Sequence, residues 1–505
     1  MAHMDLHFLL PVIVLLPLAA SLTALATGRE PRLCRWVSLT LAVVELALVI
    51  LLFFLNLKPV AGPTGTWLMA VDYPWLPGVG AHFSLGLDGL SLMLIWLTAF
   101  VTVICILASW NAITEKVGSF HFFLLFLEGI LMGLFLATDL LLFYLVWEFQ
   151  LVPMFFLIGI WGHAKRLYAS IKFMLFTFGG GLFMLLAVVA LYILHGRQTG
   201  EYTFSLYQLA QTPLSPAVQG WLYAAFLLAF AIKIPLVPVH TWLPDVHTEA
   251  PTAGSVVLAG LLLKTGFYAL FRFAFPLFPG AAEASMLLLV VLGLTGMFYA
   301  GWIALAQTDI KRLVAYSSIG HMGLMVVALG VWNVMTLSGS LLQLVNHGLS
   351  TSALFVMVGM LDERLDSRRF SDMGGLWQKM PVFGAFFLFF ALSSLGLPGL
   401  NNFVGEILIL IGAFQVRPVV GILAFVGVLL PVIYLLTMVQ KSLFGEARKE
   451  RRVWDVGPRE ILILVALALP VLFIGLHPGP ILRLFESTLG HLMFQTPLLA
   501  QALGG

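Results

Sequence analysis

Lys233 lies in a segment that is otherwise almost wholly apolar, GWLYAAFLLAFAIKIPLVPV from Gly220 to Val239, with Pro235 and Pro238 just after the charge. An ammonium at membrane depth costs about 3 kcal/mol on insertion scales, so an ionisable group held there points to function. Three further charges have similar surroundings: Glu148 in LLLFYLVWEFQLVPMFF, Lys264 in VVLAGLLLKTGFYALF and Glu406 in LGLPGLNNFVGEILILIG. Buried groups of both signs that can take up and release a proton are the chemistry of a proton or ion path.

The elements that must position these groups are membrane spans. The chain has 505 residues, 61% of them hydrophobic and only 10% charged, and its mean hydropathy is +1.02. That balance excludes an ordinary soluble domain. Apolar runs of about 20 residues, the length needed to cross a bilayer core, recur along the chain and predict about 14 spans. The run from Leu6 is too long, with too little basic sequence ahead of it, for a cleaved signal peptide, and is read as the first span. The fold class is thus an all-α integral membrane protein.

Most Lys and Arg fall in one set of alternating loops: Arg29, Arg32 and Arg35; Lys165, Arg166 and Lys172; Lys311 and Arg312; Arg364, Arg368 and Arg369; and the cluster from Lys441 to Arg459. Excess basic residues mark the cytoplasmic side, which puts both termini on the periplasmic side. These clusters read as topology signals in contact with solvent and anionic lipid, and nothing suggests nucleic acid.

Cys34 and Cys105 form no Cys-x-x-Cys pair and stand in no His/Cys group at metal spacing, so no disulfide, zinc or iron–sulfur site is expected in this chain. A P-loop and a glycine-rich dinucleotide turn are also missing from the sequence. Glu45, Asp88, Glu128 and Asp139 sit within or at the ends of spans and read as satisfied structural acids whose partners the sequence does not name. Gly179 to Gly181 read as a site of close helix approach. The stretch from His477 to Leu499 looks amphipathic, suited to the membrane face or to packing on a partner.

Pro235 follows Lys233 and Pro398 precedes Glu406, so each charge sits in an interrupted span, and five spans separate the two interruptions. An odd number of spans per unit inverts the second copy, the plan of many transporters. The expected organisation is an N-terminal unit of three spans at 1–110, a five-helix repeat at 111–276, an inverted repeat at 277–445, and a last span with an amphipathic segment at 446–505. Each break points to a hydrated half-channel, because freed backbone groups need protein or water.

The stretch FAIKIPLVPVHTWLPDVHTEAPTAGSVVLAGLLLKTGFY, residues 230–268, resembles the signature of the proton-conducting antiporter-like subunits shared by respiratory complex I and Mrp-type sodium/proton antiporters. TDIKRLVAYSSIGHMG at 308–323, FSLGLDGLSL before the third span and QLVNHGLSTSALF are similar to further blocks of that family. GLPGLNNFVGE, with glutamate where sister subunits typically carry lysine, resembles the subunit M branch of bacterial NADH:quinone oxidoreductase.

The resemblance implies a proton-translocating subunit of that enzyme complex, in the bacterial inner membrane, with no redox centre of its own. NADH, FMN, iron–sulfur clusters and quinone would belong to partner subunits. It further implies an ion pair of Glu148 with Lys233, a central relay at Lys264, bridging histidines His321 and His347, and Glu406 as the terminal donor or acceptor. Sister antiporter-like subunits would lie alongside, clasped by a lateral helix of subunit L. Buried Lys233 with Glu148 could instead be a structural pair, and each histidine could simply bond a neighbouring carbonyl. His240 and His247 flank TWLPDV and suit either proton entry or loop stabilisation. The alternative functions are an Mrp-type sodium/proton antiporter subunit and a structural membrane spacer, against which the four buried charges speak.

Overall fold

The structure is a computed structural model that describes residues 6–55, 57, 60–62, 65–446 and 453–495. Thirteen helices among these residues are long and apolar enough to cross a membrane, from Leu6–Thr27 to Pro458–Leu476. A further crossing, the twelfth, is assembled from two helices each too short alone, Pro381–Ser394 and Asn401–Val416. The chain is therefore a multi-pass helical membrane protein, as its composition requires. The basic residues at 448–452 and the tail from 496 lie outside the described residues.

The interior is built from the eighth span (Thr252–Leu277), the tenth (Ile310–Val331) and the eleventh (Val334–Leu365), while the second (Pro31–Phe54), ninth (Pro279–Leu305), thirteenth (Pro418–Leu443) and fourteenth (Pro458–Leu476) keep apolar outer faces. In lipid, helices associate by close packing rather than by the hydrophobic effect, and small residues permit it. The ninth and tenth spans show this: a Cβ on Gly293 would lie 2.6 Å from the Gly323 carbonyl oxygen, and one on Gly323 equally close to that of Gly293.

One corner recurs on the two sides of the bundle. Asp139 accepts from the N–H groups of Leu141 and Leu142, both at 2.9 Å, and starts the fifth span (Leu140–Trp161). Asp309 does the same for Lys311 and Arg312 at 2.8 and 3.1 Å and starts the tenth. Both residues follow a threonine. Leu140 N–H donates to the Phe204 carbonyl and Leu206 N–H to that of Thr138; likewise Ile310 N–H donates to Arg368 and Phe370 N–H to Thr308. Each acid caps a helix, whose first N–H groups lack intrahelical acceptors, while the backbone bonds tie the corner to the loop beyond the next span.

The segment between the second span and the third (Gly89–Ala108) adds something the all-helical reading did not contain, a β-hairpin of Met69–Leu76 against Ala81–Leu87. It braces the Asp139 corner, since His82 N–H donates to Asp139 Oδ2 at 3.1 Å and Thr138 N–H to the Ser84 carbonyl at 3.0 Å. The helix Gly479–Gln495 packs on the chain's own third and eleventh spans. There Thr488 Oγ1 accepts the Leu90 N–H at 3.2 Å.

Two buried ion pairs join distant parts of the chain. Asp88 caps the third span through the Ser91 N–H and also pairs with Arg272 of the eighth span, whose guanidinium lies 5.1 Å from the Trp67 ring centroid. Arg364, expected to mark topology on a loop, is instead buried and grips both oxygens of Glu460 at 2.9 and 2.6 Å. Lys311, expected in the same role, is also buried and donates to the Ala250 carbonyl at 2.6 Å. Basic residues at span ends look alike in sequence whether they meet solvent or fold inward.

Removing one partner of a buried pair leaves the other charge uncompensated, at a cost of about 3 kcal/mol or more. Asp88→Asn keeps a capping oxygen but strands Arg272. The variant is expected to lower the thermal unfolding temperature of the detergent-solubilised protein, and adding Arg272→Met should restore most of the loss. An Asp88→Asn protein as stable as wild type would rule out this role.

Candidate functional site

Both broken spans end their first halves in the same turn. In Pro216–Lys233 the Leu236 N–H reaches back to the Ala231 carbonyl at 2.8 Å, and in Pro381–Ser394 the Leu397 N–H reaches back to Leu392 at 3.0 Å. This is the longer bond of a Schellman stop. The shorter one differs. Gly396, at φ +81°, donates its N–H to Ser393 at 3.2 Å, whereas Pro235 has no N–H to offer the equivalent Ile232 carbonyl. The indole of Trp242 fills the gap, donating to Ile232 at 2.9 Å.

Further polar groups at the twelfth-span break are held by Asn401 and Asn402. Asn402 Nδ2 donates to the Ser393 carbonyl at 2.8 Å and to Ser350 Oγ at 2.9 Å. Asn401 and Asn346 exchange side-chain-to-backbone bonds at 3.1 and 2.7 Å, binding the break to the eleventh span. Irregular backbone at membrane depth persists only with such partners. The second half of the seventh span, Trp242–Glu249, is held through Asp245 in its first turn, which pairs with Lys172 at 2.7 Å and Arg312 at 3.2 Å.

The breaks set out a line of ionisable groups. Lys233 is the last residue of its half-helix, buried, with no hydrogen-bond partner for Nζ. Its ammonium lies over the rings of Trp147 and Phe173, 5.2 and 5.5 Å from their centroids, and such faces attract a desolvated cation. Glu148 shares its helix with Trp147, yet neither carboxylate oxygen has a hydrogen-bond partner. The expected Glu148–Lys233 pair is therefore not in direct contact. The carboxylate is seated on the sixth span (Arg166–Thr199), where a Cβ on Gly181 would lie 1.7 Å from Glu148 Oε1.

Across the eighth span the line continues. A Cβ on Gly266 would lie 3.0 Å from Lys233 Cβ, so the two spans touch beside Lys264. Lys264 sits between two widened π-helical turns, Leu258–Leu262 and Leu270–Ala274, a distortion frequent at functional sites. Its Nζ contacts the Ala259 carbonyl and lies 2.6 Å from His347 Nδ1. The rings of His347 and His321 are 5.4 Å apart. His321 Nδ1 is 3.6 Å from Glu406 Oε1.

Glu406 also takes a 3.4 Å contact from Gln343 Nε2, which donates to Asn402 at 3.0 Å. A Cβ on Gly396 would lie 2.2 Å from Glu406 Oε2, so this carboxylate rests on a glycine as Glu148 does. Glu406 lines an apolar groove of about 670 Å³ between the twelfth and thirteenth spans, with Leu395, Phe403, Phe414 and Phe425.

The structure thus joins Lys264, His347, His321 and Glu406 in one run, with Lys233 and Glu148 on the far side of the eighth span. His240 stays outside it, its ring edge-on to Tyr299. Glu45 and Glu128 are buried with no hydrogen-bond partner for any carboxylate oxygen. Gln343, Asn402 and Trp242 were not assigned from sequence. Their signal was local, polar residues and an indole beside Pro and Gly inside apolar runs.

The family described as NADH:quinone oxidoreductase/Mrp antiporter, TM, matches residues 137–431, both broken spans included. The chain belongs to that family. NADH-quinone oxidoreductase subunit M of Pseudomonas aeruginosa is 42% identical over 95% of this chain and 96% of its own length. The Escherichia coli subunit M is 40% identical over 96% and 97%. Among solved structures, a chain of respiratory complex I from Thermus thermophilus with bound NADH superposes with a TM-score of 0.83 at 33% identity, covering 94% of this chain and 99% of that one. The Mrp complex from Dietzia shares the fold, with a TM-score of 0.81 at 22% identity, covering 97% of this chain and 52% of that one.

Gly181→Ala changes no charge but drives a methyl into the Glu148 carboxylate. If the seating of that carboxylate matters, NADH-driven proton uptake in membrane vesicles should fall as it does in Glu148→Ala, with assembly intact on native gels. Gly179→Ala, whose Cβ meets nothing within 4 Å, should be silent.

Proposed function

We propose that this chain is the subunit M type of antiporter-like subunit in a proton-translocating NADH:quinone oxidoreductase, moving protons along its buried line while partner subunits carry out the redox chemistry. The observation that carries the reading is the run from Lys264 through His347 and His321 to Glu406, closed to solvent and built from groups that exchange protons. The full-length likeness to subunit M relatives supports it over the Mrp-type antiporter, whose likeness extends to the fold.

In this reading Lys233 is a switch. Its ammonium has only aromatic faces for company, so its hold on a proton depends on how near Glu148 comes. With the carboxylate close, the lysine stays charged; as the carboxylate withdraws toward Gly181, the proton leaves for Lys264. The imidazoles pass it on, because each ring can accept at one nitrogen and release at the other. Glu406 ends the relay at the second break.

The recurring corners at Asp139 and Asp309 and the matching half-helix stops support two inverted five-helix repeats near 111–276 and 277–445. The basic residues Lys165, Arg166, Arg368 and Arg369 support a cytoplasmic assignment for their face and, with it, both termini on the periplasmic side of a bacterial inner membrane. NADH, FMN, iron–sulfur clusters and quinone reside in partner subunits. The groove at Glu406 suits a sister antiporter-like subunit, continuing the line of charges, with the lateral helix of subunit L crossing nearby.

Lys264→Arg keeps the positive charge but holds its proton at any working pH. Proton pumping and coupled quinone reduction in the assembled complex should fail in this variant, and normal pumping would reduce Lys264 to a fixed charge. At Glu406 the ranking of two variants decides. A titrating carboxylate predicts that Glu406→Gln impairs pumping about as much as Glu406→Ala. A purely hydrogen-bonding carboxylate predicts a near-silent Gln and a harmful Ala.

A further inference from the structure

The fourteenth span carries none of the groups on the line, yet it and the lead before it meet the half-helix Pro381–Ser394 at its start and the break loop at its end. At the start, the half-helix does not cap itself. Met380, just before Pro381, makes no side-chain cap bond. Asp455, on the lead into the fourteenth span, takes that place, its two carboxylate oxygens accepting the N–H groups of Val382 and Phe383, each at 2.9 Å. The first N–H groups of a helix have no intrahelical acceptor, and an anion there also meets the positive end of the helix dipole. The lead is fixed in turn. Arg364, at the end of the eleventh span, donates to the Trp454 carbonyl at 2.9 Å and grips Glu460, whose Oε2 also accepts the Gly457 N–H at 2.8 Å.

At the other end the contact is backbone on backbone. A Cβ on Gly475 would lie 2.3 Å from the Gly399 carbonyl oxygen and 2.6 Å from Leu400 Cα, so the fourteenth span presses directly on the break loop. That loop joins Gly396, on which Glu406 Oε2 rests, to Asn401 and Asn402. The two contacts stand about 25 Å apart by the rise of an α-helix. The fourteenth span and the half-helix therefore run side by side and are joined at both ends. Among the described residues, Glu406 is faced by His321 of the tenth span at 3.6 Å, Gln343 of the eleventh at 3.4 Å and Tyr434 of the thirteenth. Neither printed contact is short enough to fix the carboxyl firmly, so the Gly396 turn has much of the say in where it sits.

We propose that the fourteenth span is a splint for the broken twelfth span, with Asp455 and Gly475 as positioning residues that hold the Gly396 turn against Glu406 and so set how readily that carboxyl exchanges its proton; this rests on the relay reading given above. Asp455 sets the depth of the half-helix from its start. Gly475 sets the loop from the far end, because only a residue without a side chain lets the two backbones come so close. A hydrogen-bonded helix passes an axial shift along its length, so a displacement at either contact reaches the turn that seats Glu406. Moving a buried carboxyl by a fraction of an ångström relative to its neighbours changes its hold on a proton.

The test uses the intact complex in sealed membrane vesicles, with NADH-driven proton uptake followed across pH and assembly checked on native gels. Gly475→Ala and Asp455→Ala act at opposite ends of the splint. Each is expected to pump several-fold less than wild type in the assembled complex and to displace the midpoint of the pH profile. Leu469→Ala, on the exposed outer face of the same span, should change neither. A merely structural span predicts less assembled complex but an unmoved profile in what assembles, and that result overturns the proposal. Should either alanine variant fail to assemble, Asp455→Asn decides, since it keeps one acceptor oxygen for the half-helix: wild-type pumping with a wild-type profile there also overturns the splint. Glu406→Gln separates the two levels. If it pumps normally, the relay reading falls and the splint with it; if it is impaired while Gly475→Ala and Asp455→Ala keep the wild-type rate and profile, only the splint falls.

Discussion

A carbonyl released from a helix inside a membrane has no water to turn to, and the design of this protein follows from how two such releases are met. At the seventh span Pro235 removes the N–H that would have served Ile232, and Trp242 supplies one from the following half-helix. At the twelfth span Gly396 supplies its own N–H and Asn402 adds a second donor to Ser393. Because these freed carbonyls have protein partners, the breaks are stable structures rather than defects. They can therefore hold Lys233 and Glu406 at depth.

The two carboxylates of the line share a mode of support. Glu148 and Glu406 each rest on a glycine, Gly181 and Gly396, at distances that exclude even a methyl group. Glu148 has no hydrogen-bond donor there, and Glu406 has a long contact from Gln343 and the nearby His321. Carboxylates gripped by short, strong donors resist changing protonation state; these are positioned by space more than by bonds. The strongly paired charges, Asp88 with Arg272 and Arg364 with Glu460, lie at the margins and hold the bundle together.

Pairing also separates the outer framework from the line of ionisable groups. The corners at Asp139 and Asp309 close with helix caps and backbone bonds, which fix where the fifth and tenth spans begin. Asp245 ties the half-helix Trp242–Glu249 to the sixth and tenth spans through two cations. Between these anchored ends the π-turns of the eighth span leave Lys264 room to meet both a carbonyl and an imidazole.

The sequence by itself determined the membrane class, the number of crossings, the two breaks and the types of the six groups on the line. Apolar run length, Pro and Gly positions, and charges set in apolar runs are local properties that survive without a fold. Only the tertiary structure decided who meets whom. Lys311 and Arg364 read as loop charges because burial depends on neighbouring spans, and only packing shows that one faces Ala250 and the other Glu460. Asp88 and Asp139 found partners far along the chain, Arg272 and His82, that no spacing could announce. The Glu148–Lys233 pair, expected closed, stands open, because the seating of the carboxylate is set by Gly181 on a third helix. Residue type and periodicity travel with the chain, whereas distance between side chains on different helices exists only once those helices have packed.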